Sequence, residues 1–164
     1  LKVTVIGGSN SAGQAAVYLA GLGHDVTMLV RGSLEVSDYL RKKIIASGVT
    51  VLTDSELKKV SSVPDEPELN LTIQDSGERI TLGAHAICIY IGASPKTYWL
   101  NGIVDRTDKG YIVTGENGLL PFETSMDSVF AIGDVREGSV KRVAAAVGEG
   151  SVVVQQVLKR ISTL

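Results

Sequence analysis

The rhythm of apolar and polar positions changes three times along this chain. Residues 2–6, Lys-Val-Thr-Val-Ile, are short and β-branched, the pattern of a buried parallel strand. A turn at Gly7-Gly8-Ser9 leads into a helix predicted from Asn10 to Leu22. Its Ala12, Ala16 and Ala20 recur at i, i+4 spacing, so small side chains let it lie close on a sheet. Residues 25–30 read as a second strand. Ser37 is an N-cap candidate for a helix over 38–47, Gly48 is placed as its stop, and 49–53 gives a third strand. This βαβαβ order is half of a doubly wound nucleotide-binding fold.

Beyond Asp54 the period shortens to two. Residues 55–63 and 69–74 alternate, Asp75-Ser76-Gly77 is a turn, and 79–82 is a short return strand. Pro64 and Pro67 mark a loop, and Ala84–Ile91 is an apolar strand ending at Gly92. A three-stranded meander returning to a parallel sheet fits this order better than a third βα unit. The last segment is looser, with Pro95, Asn101-Gly102 and Gly110, and closes with a predicted strand at 128–132 and a long helix at 140–161.

Composition narrows the class. With 164 residues, 44% of them apolar, and 18 glycines, the chain has room for one domain, or for a small domain plus part of another. A net charge of −2 provides neither a basic face for nucleic acid nor a polybasic patch for membranes. No apolar run approaches the ~20 residues of a membrane span. The chain opens on a strand at Leu1, so no leader peptide is expected. Cys88 is the single cysteine, which excludes a Cys-x-x-Cys pair within these residues and makes a reducing, cytoplasmic setting the expectation.

Two motifs carry chemistry. The first, VIGGSNSAG at 5–13, follows a strand and opens a helix, the context a dinucleotide cradle requires. Gly7 makes the tight turn and Ala12 permits close helix–strand packing. Gly8 and Ser9 lie where backbone meets pyrophosphate, and the Ser9 hydroxyl is a candidate phosphate donor or helix cap. The amides of Ser9, Asn10 and Ser11 at a helix N-terminus favour an anion. At the end of the second strand, where NAD sites place a carboxylate for the ribose, stand Val30 and Arg31. A guanidinium chelates a 2′-phosphate that a carboxylate would repel, so NADPH is expected over NADH. Glu35 is a remote ribose candidate. Without its context the loop reads equally as a plain strand-to-helix turn, and Arg31 as a solvated surface residue.

The second motif is TSMDSVFAIGDVREGSVKRVAAAVGEG at 124–150. With VIGGSNSAGQAA and IGASP at 91–95, it makes the chain resemble the thioredoxin reductases and related two-dinucleotide flavoproteins of the pyridine nucleotide-disulfide oxidoreductase family. The resemblance implies an α/β fold. A three-layer Rossmann-like NADPH-binding domain with a β-meander spans 1–92, including Gly92. The C-terminal part of a split FAD-binding domain spans 93–164. It implies that Gly133 and Asp134 turn towards the flavin's ribityl chain. It further implies that Arg142, Val143 and Ala144 open a helix whose amides face the electron-rich N1/O2 edge, where a helix N-terminus stabilises negative charge.

The implied activity is hydride transfer from NADPH to FAD and on to a disulfide, a thioredoxin-like protein or another acceptor, in a homodimer. The cofactors carry the redox chemistry, and no residue here is a catalytic acid, base or nucleophile. The chain departs from the pattern in having one Gly-rich loop rather than two, no cysteine pair, and Gly32 where a second arginine often stands. A non-catalytic NADPH-binding regulatory module is the alternative from another class. His24 and His85 are read as structural, the Lys42-Lys43 and Lys58-Lys59 pairs as solvated faces, and Tyr98-Trp99 as packing residues. No metal-ligand cluster is expected.

Overall fold

The computed structural model describes residues 1–62, 65–116 and 119–162. It divides into two compact units, Leu1–Gly92 and Ala93–Leu164.

In the first unit, strands β1 (Lys2–Ile6), β2 (Asp25–Leu29), β3 (Thr50–Leu52) and β7 (Ala86–Ile89) form a parallel sheet in the order β3-β2-β1-β7. Helices α1 (Asn10–Gly21) and α2 (Asp38–Ala46) cover one face. The antiparallel sheet β4 (Ser55–Ser62), β5 (Leu69–Asp75) and β6 (Glu78–Ala84) covers the other. The period-two alternation of the strands explains this division. Val5, paired with Met28 and Cys88, packs with Ala12, Ala16, Leu40 and Ile44 on the helical side. Ile6 and Leu29, one residue on, pack with Leu71 and Ile73 on the meander side. Gly13 lets the two helices meet, since a Cβ there would come within 3.0 Å of both Leu40 and Ile44 side chains.

The α2 boundaries follow the expected signals. The Leu40 N–H donates to Ser37 Oγ at 3.4 Å, and Gly48, at φ +70°, ends the helix turn. The fourth parallel strand starts later than the pattern predicts. Ala84 ends β6, His85 breaks the run, and β7 begins at Ala86. His85 Nδ1 accepts the Lys2 N–H at 3.2 Å, a structural role. Val63 and Pro64, where the pattern joins β4 to its loop, lie outside the described residues.

The second unit has little regular structure before its helix α3 (Val143–Ile161). The strand expected at 128–132 does not form. Phe130 makes only an isolated antiparallel bridge to Glu123, because no extended neighbour continues the ladder. Val104, Ile112 and Ala131 make a small core. The helix begins at Val143 rather than Val140, and Arg142 is its N-cap. Tyr98 and Trp99, expected to pack, are exposed. Among the described residues no helix is long and apolar enough to cross a membrane, and no acidic, His or Cys group could hold a metal.

Candidate functional site

A cleft of about 770 Å³ opens at the C-terminal ends of β1, β2 and β7, where parallel sheets of this kind receive ligands. Gly7, Gly8 and Ser9 form its floor between two walls: Val30 to Ser33 after β2, and Tyr90 to Gly92 after β7. The loop's shape is set by sterics. At φ +139°, a Cβ on Gly7 would lie 2.3 Å from the Tyr90 carbonyl oxygen and 3.2 Å from the Ala12 Cβ. A Cβ on Gly8 would meet Val30 Cγ1 at 2.6 Å. These two glycines therefore bring backbone to the cleft where any side chain would fill it. Ala12 is fully buried under the turn, so its methyl sets how near α1 sits.

Ser9 is the N-cap of α1, but its hydroxyl makes no capping bond, which corrects that expectation. The first amides of a helix have no intrahelical partner, and no acidic residue occupies the first turn of α1. An anion at this end meets donors and a favourable dipole. Asn10 is not among the cleft-lining residues; its Oδ1 accepts the Ser37 N–H at 3.0 Å and ties α1 to the α2 cap. Ser11 is exposed and outside the cleft lining.

Arg31 is exposed on the β2 wall. Glu35 is not remote: its N–H donates to the Gly8 carbonyl at 2.8 Å and it bridges Ser9, which places it on the cleft rim. The pattern gave no sign that the meander would contribute, yet Ser55, Glu56 and Leu57 complete the wall beside Arg31. Glu56 pairs with Lys58 at 2.6 Å. That hydrogen bond and its charge, aided by Arg31, hold the Glu56 carboxyl below its usual range. Cys88 stays half-buried among the helical-side core.

In the second unit, Gly133–Val135 forms a 3-10 turn packed on the first turns of α3. Gly133, buried at φ +72°, would place a Cβ 3.4 Å from Ala146. Asp134, Arg142, Val143 and Ala144 are all exposed. The first amides of α3 carry no side-chain cap and face no acidic residue in that turn. These residues fit a group that combines an anionic edge with hydroxyls.

Two residues not singled out from the sequence hold this turn. Glu149 accepts the Gly133 N–H at 2.7 Å and pairs with Arg136 at 2.7 Å, both side chains largely buried. The Arg136 bond is the main cause that lowers the Glu149 carboxyl below its usual range, with the Gly133 amide adding to it. Arg136 also lies over the Phe122 ring. Lys141 donates to the carbonyls of Asp134 and Arg136 at 2.7 and 2.8 Å and so ties the turn to the segment before α3. The available signal was Glu149 itself, a lone charge in the apolar run Ala-Ala-Ala-Val-Gly-Glu-Gly.

Residues 1–150 match the pyridine nucleotide-disulphide oxidoreductase family, and the chain belongs to it. Members of this family use FAD and a pyridine nucleotide. The chain is 34% identical over 154 residues to an alkyl hydroperoxide reductase protein of Pseudomonas aeruginosa, covering 92% of this chain and 29% of that protein. It is 29% identical over 151 residues to an NADH dehydrogenase of Bacillus subtilis, covering 91% of this chain and again 29% of the relative. Thioredoxin reductase of Lactococcus lactis shares the fold at a TM-score of 0.82 and 23% identity, covering 99% of this chain and 54% of that one. The chain thus spans about a third to a half of the length of these proteins.

Proposed function

We propose that the protein carrying this chain passes hydride from NADPH to FAD, and electrons onward to a disulfide, a thioredoxin-like protein or another acceptor. Residues 1–92 are read as the NADPH-binding domain and 93–164 as the C-terminal part of a split FAD-binding domain. The observation that carries the reading is the cleft floor: Gly7 and Gly8 bare the backbone at the α1 N-terminus, with the Arg31 guanidinium on the adjoining wall. The pyrophosphate takes the α1 amides and the 2′-phosphate takes Arg31. Because β7 lies on the other side of β1 from β2, Tyr90, Ile91 and Gly92 are the residues that would line the nicotinamide end.

In the second unit, the Asp134 carboxylate accepts from ribityl hydroxyls, and Arg142, Val143 and Ala144 offer the α3 amides to the flavin's anionic edge. FAD, when bound, supplies the two-electron chemistry; the residues here bind, orient and stabilise charge. Electrons leaving for a disulfide need cysteines or an acceptor from outside these residues, since Cys88 is alone and half-buried.

Glu35 favours a second reading, in which NADH is the donor and Glu35 takes the ribose hydroxyls; a relative named as an NADH dehydrogenase accords with it. Anaerobic titration of the intact protein with NADPH and with NADH tests both. Stoichiometric loss of visible flavin absorbance with NADPH at lower concentrations than NADH is expected. Preference for NADH would support the second reading, and no flavin reduction by either would overturn both.

A further inference from the structure

We propose that Glu56 is a specificity-determining residue of the Arg31 site: its carboxylate, shielded by Lys58, opposes the 2′-phosphate that Arg31 attracts and so narrows the preference for NADPH over NADH. This rests on the cofactor reading above and deepens it.

The start of β4 is stitched to the end of β2 on both sides of Arg31. The Ser55 N–H donates to the Val30 carbonyl at 3.0 Å and the Asp54 N–H to the Gly32 carbonyl at 3.4 Å. Successive strand residues face opposite ways. Ser55 turns inward, buried, its hydroxyl donating to Asp75 Oδ1 at 2.8 Å, and Glu56 therefore turns outward. Both Glu56 and Arg31 line the same cleft wall. Lys58, where the β4 register is broken between Leu57 and Lys59, pairs with Glu56 at 2.6 Å. One guanidinium thus lines the same cleft as one carboxylate, feels its charge, and a lysine partly cancels that charge. A phosphate carrying nearly two negative charges that comes to Arg31 must sit near that carboxylate, whereas a ribose hydroxyl meets no such repulsion.

The arrangement makes two opposite predictions from neighbouring residues. Glu56→Gln removes the repulsion and tightens the 2′-phosphate. Lys58→Met unmasks Glu56 and weakens it. Both side chains are on the surface, so neither substitution disturbs the core, and an unchanged thermal midpoint verifies this.

The test uses the intact protein and two probes that differ only in the 2′-phosphate, 2′,5′-ADP and 5′-AMP, titrated at low ionic strength. Glu56→Gln is expected to tighten 2′,5′-ADP by about fivefold and to change 5′-AMP by less than about twofold, as expected for one charge in a wet cleft. Lys58→Met is expected to weaken 2′,5′-ADP by a similar factor, and to lose most of that effect in the Glu56→Gln background. Unchanged or weaker 2′,5′-ADP binding in Glu56→Gln overturns the proposal. So does a Lys58→Met effect that persists undiminished without Glu56, because Lys58 would then contact the phosphate itself. Arg31→Ala, run in parallel, separates the two levels. If it weakens 2′,5′-ADP selectively while Glu56→Gln does nothing, only the Glu56 assignment fails. If it weakens neither probe selectively, the NADPH reading fails.

Discussion

A Cβ on Gly7 would lie 2.3 Å from the carbonyl oxygen of Tyr90, so the first turn of the cradle and the end of β7 are in contact that only glycine allows. Gly7→Ala must therefore displace one of them, besides adopting φ +139°, a cost of roughly 1–3 kcal/mol from the backbone alone. The expected outcome is a clearly lower thermal midpoint and loss of NADP⁺ binding, read by calorimetry and titration. Retention of both at the level of the parent protein would show that the turn is not shaped as described.

Ser9 provides a contrast. Its hydroxyl does not cap α1, so Ser9→Gly should cost only a few tenths of a kcal/mol in stability. If the backbone alone meets the pyrophosphate, NADP⁺ affinity should stay within about twofold of the parent. A tenfold loss would instead assign the hydroxyl to the phosphate.

Glu149 links acid stability to the Gly133–Val135 turn. Its carboxyl titrates lower in the folded state than in the unfolded one, because Arg136 and the Gly133 amide bind the charged form. The stability this contributes is fully present above the ordinary carboxyl value of 4.5 and is lost as pH falls through the lower folded value. Glu149→Gln should cost about 2 kcal/mol at neutral pH, the usual worth of a charged hydrogen bond. It should also flatten the stability curve below about pH 4.5, since the loss then no longer depends on titration. Equal acid sensitivity of parent and variant in urea unfolding would remove Glu149 from the account.

The 164 residues expressed alone should bind NADP⁺ yet purify colourless. The chain holds one Gly-rich loop of this kind, and α3 leaves Val143, Val147, Val154 and Leu158 exposed as an apolar surface. A yellow preparation with one flavin per chain would contradict this.

What could be read from the sequence was what local rules decide. The β1 run, the Gly7–Ser9 turn, the Ser37 cap and the Gly48 stop are local, and each formed where its chemistry placed it. The meander was legible from its alternation and its Asp75-Ser76-Gly77 turn. The apolar run at 128–132 misled because strand propensity needs an adjacent strand to pair with, and Phe130 finds one bridge only. Residues brought together by layers were not legible. Glu56 reaches the cleft because β4 docks on β2, and Glu149 reaches Gly133 across 16 residues because α3 folds back on the turn. Neither approach leaves a mark in residue spacing.

The most direct test of the account is the affinity of Arg31→Ala and its parent for NADPH and NADH, measured side by side by titration. Arg31 lies on the cleft wall next to the Gly7–Ser9 floor. Its loss should weaken NADPH by about 1.5–3 kcal/mol, roughly ten- to 150-fold, and leave NADH nearly unchanged. Equal weakening of both cofactors, or of neither, would contradict the assignment of Arg31 to the 2′-phosphate and with it the choice of NADPH.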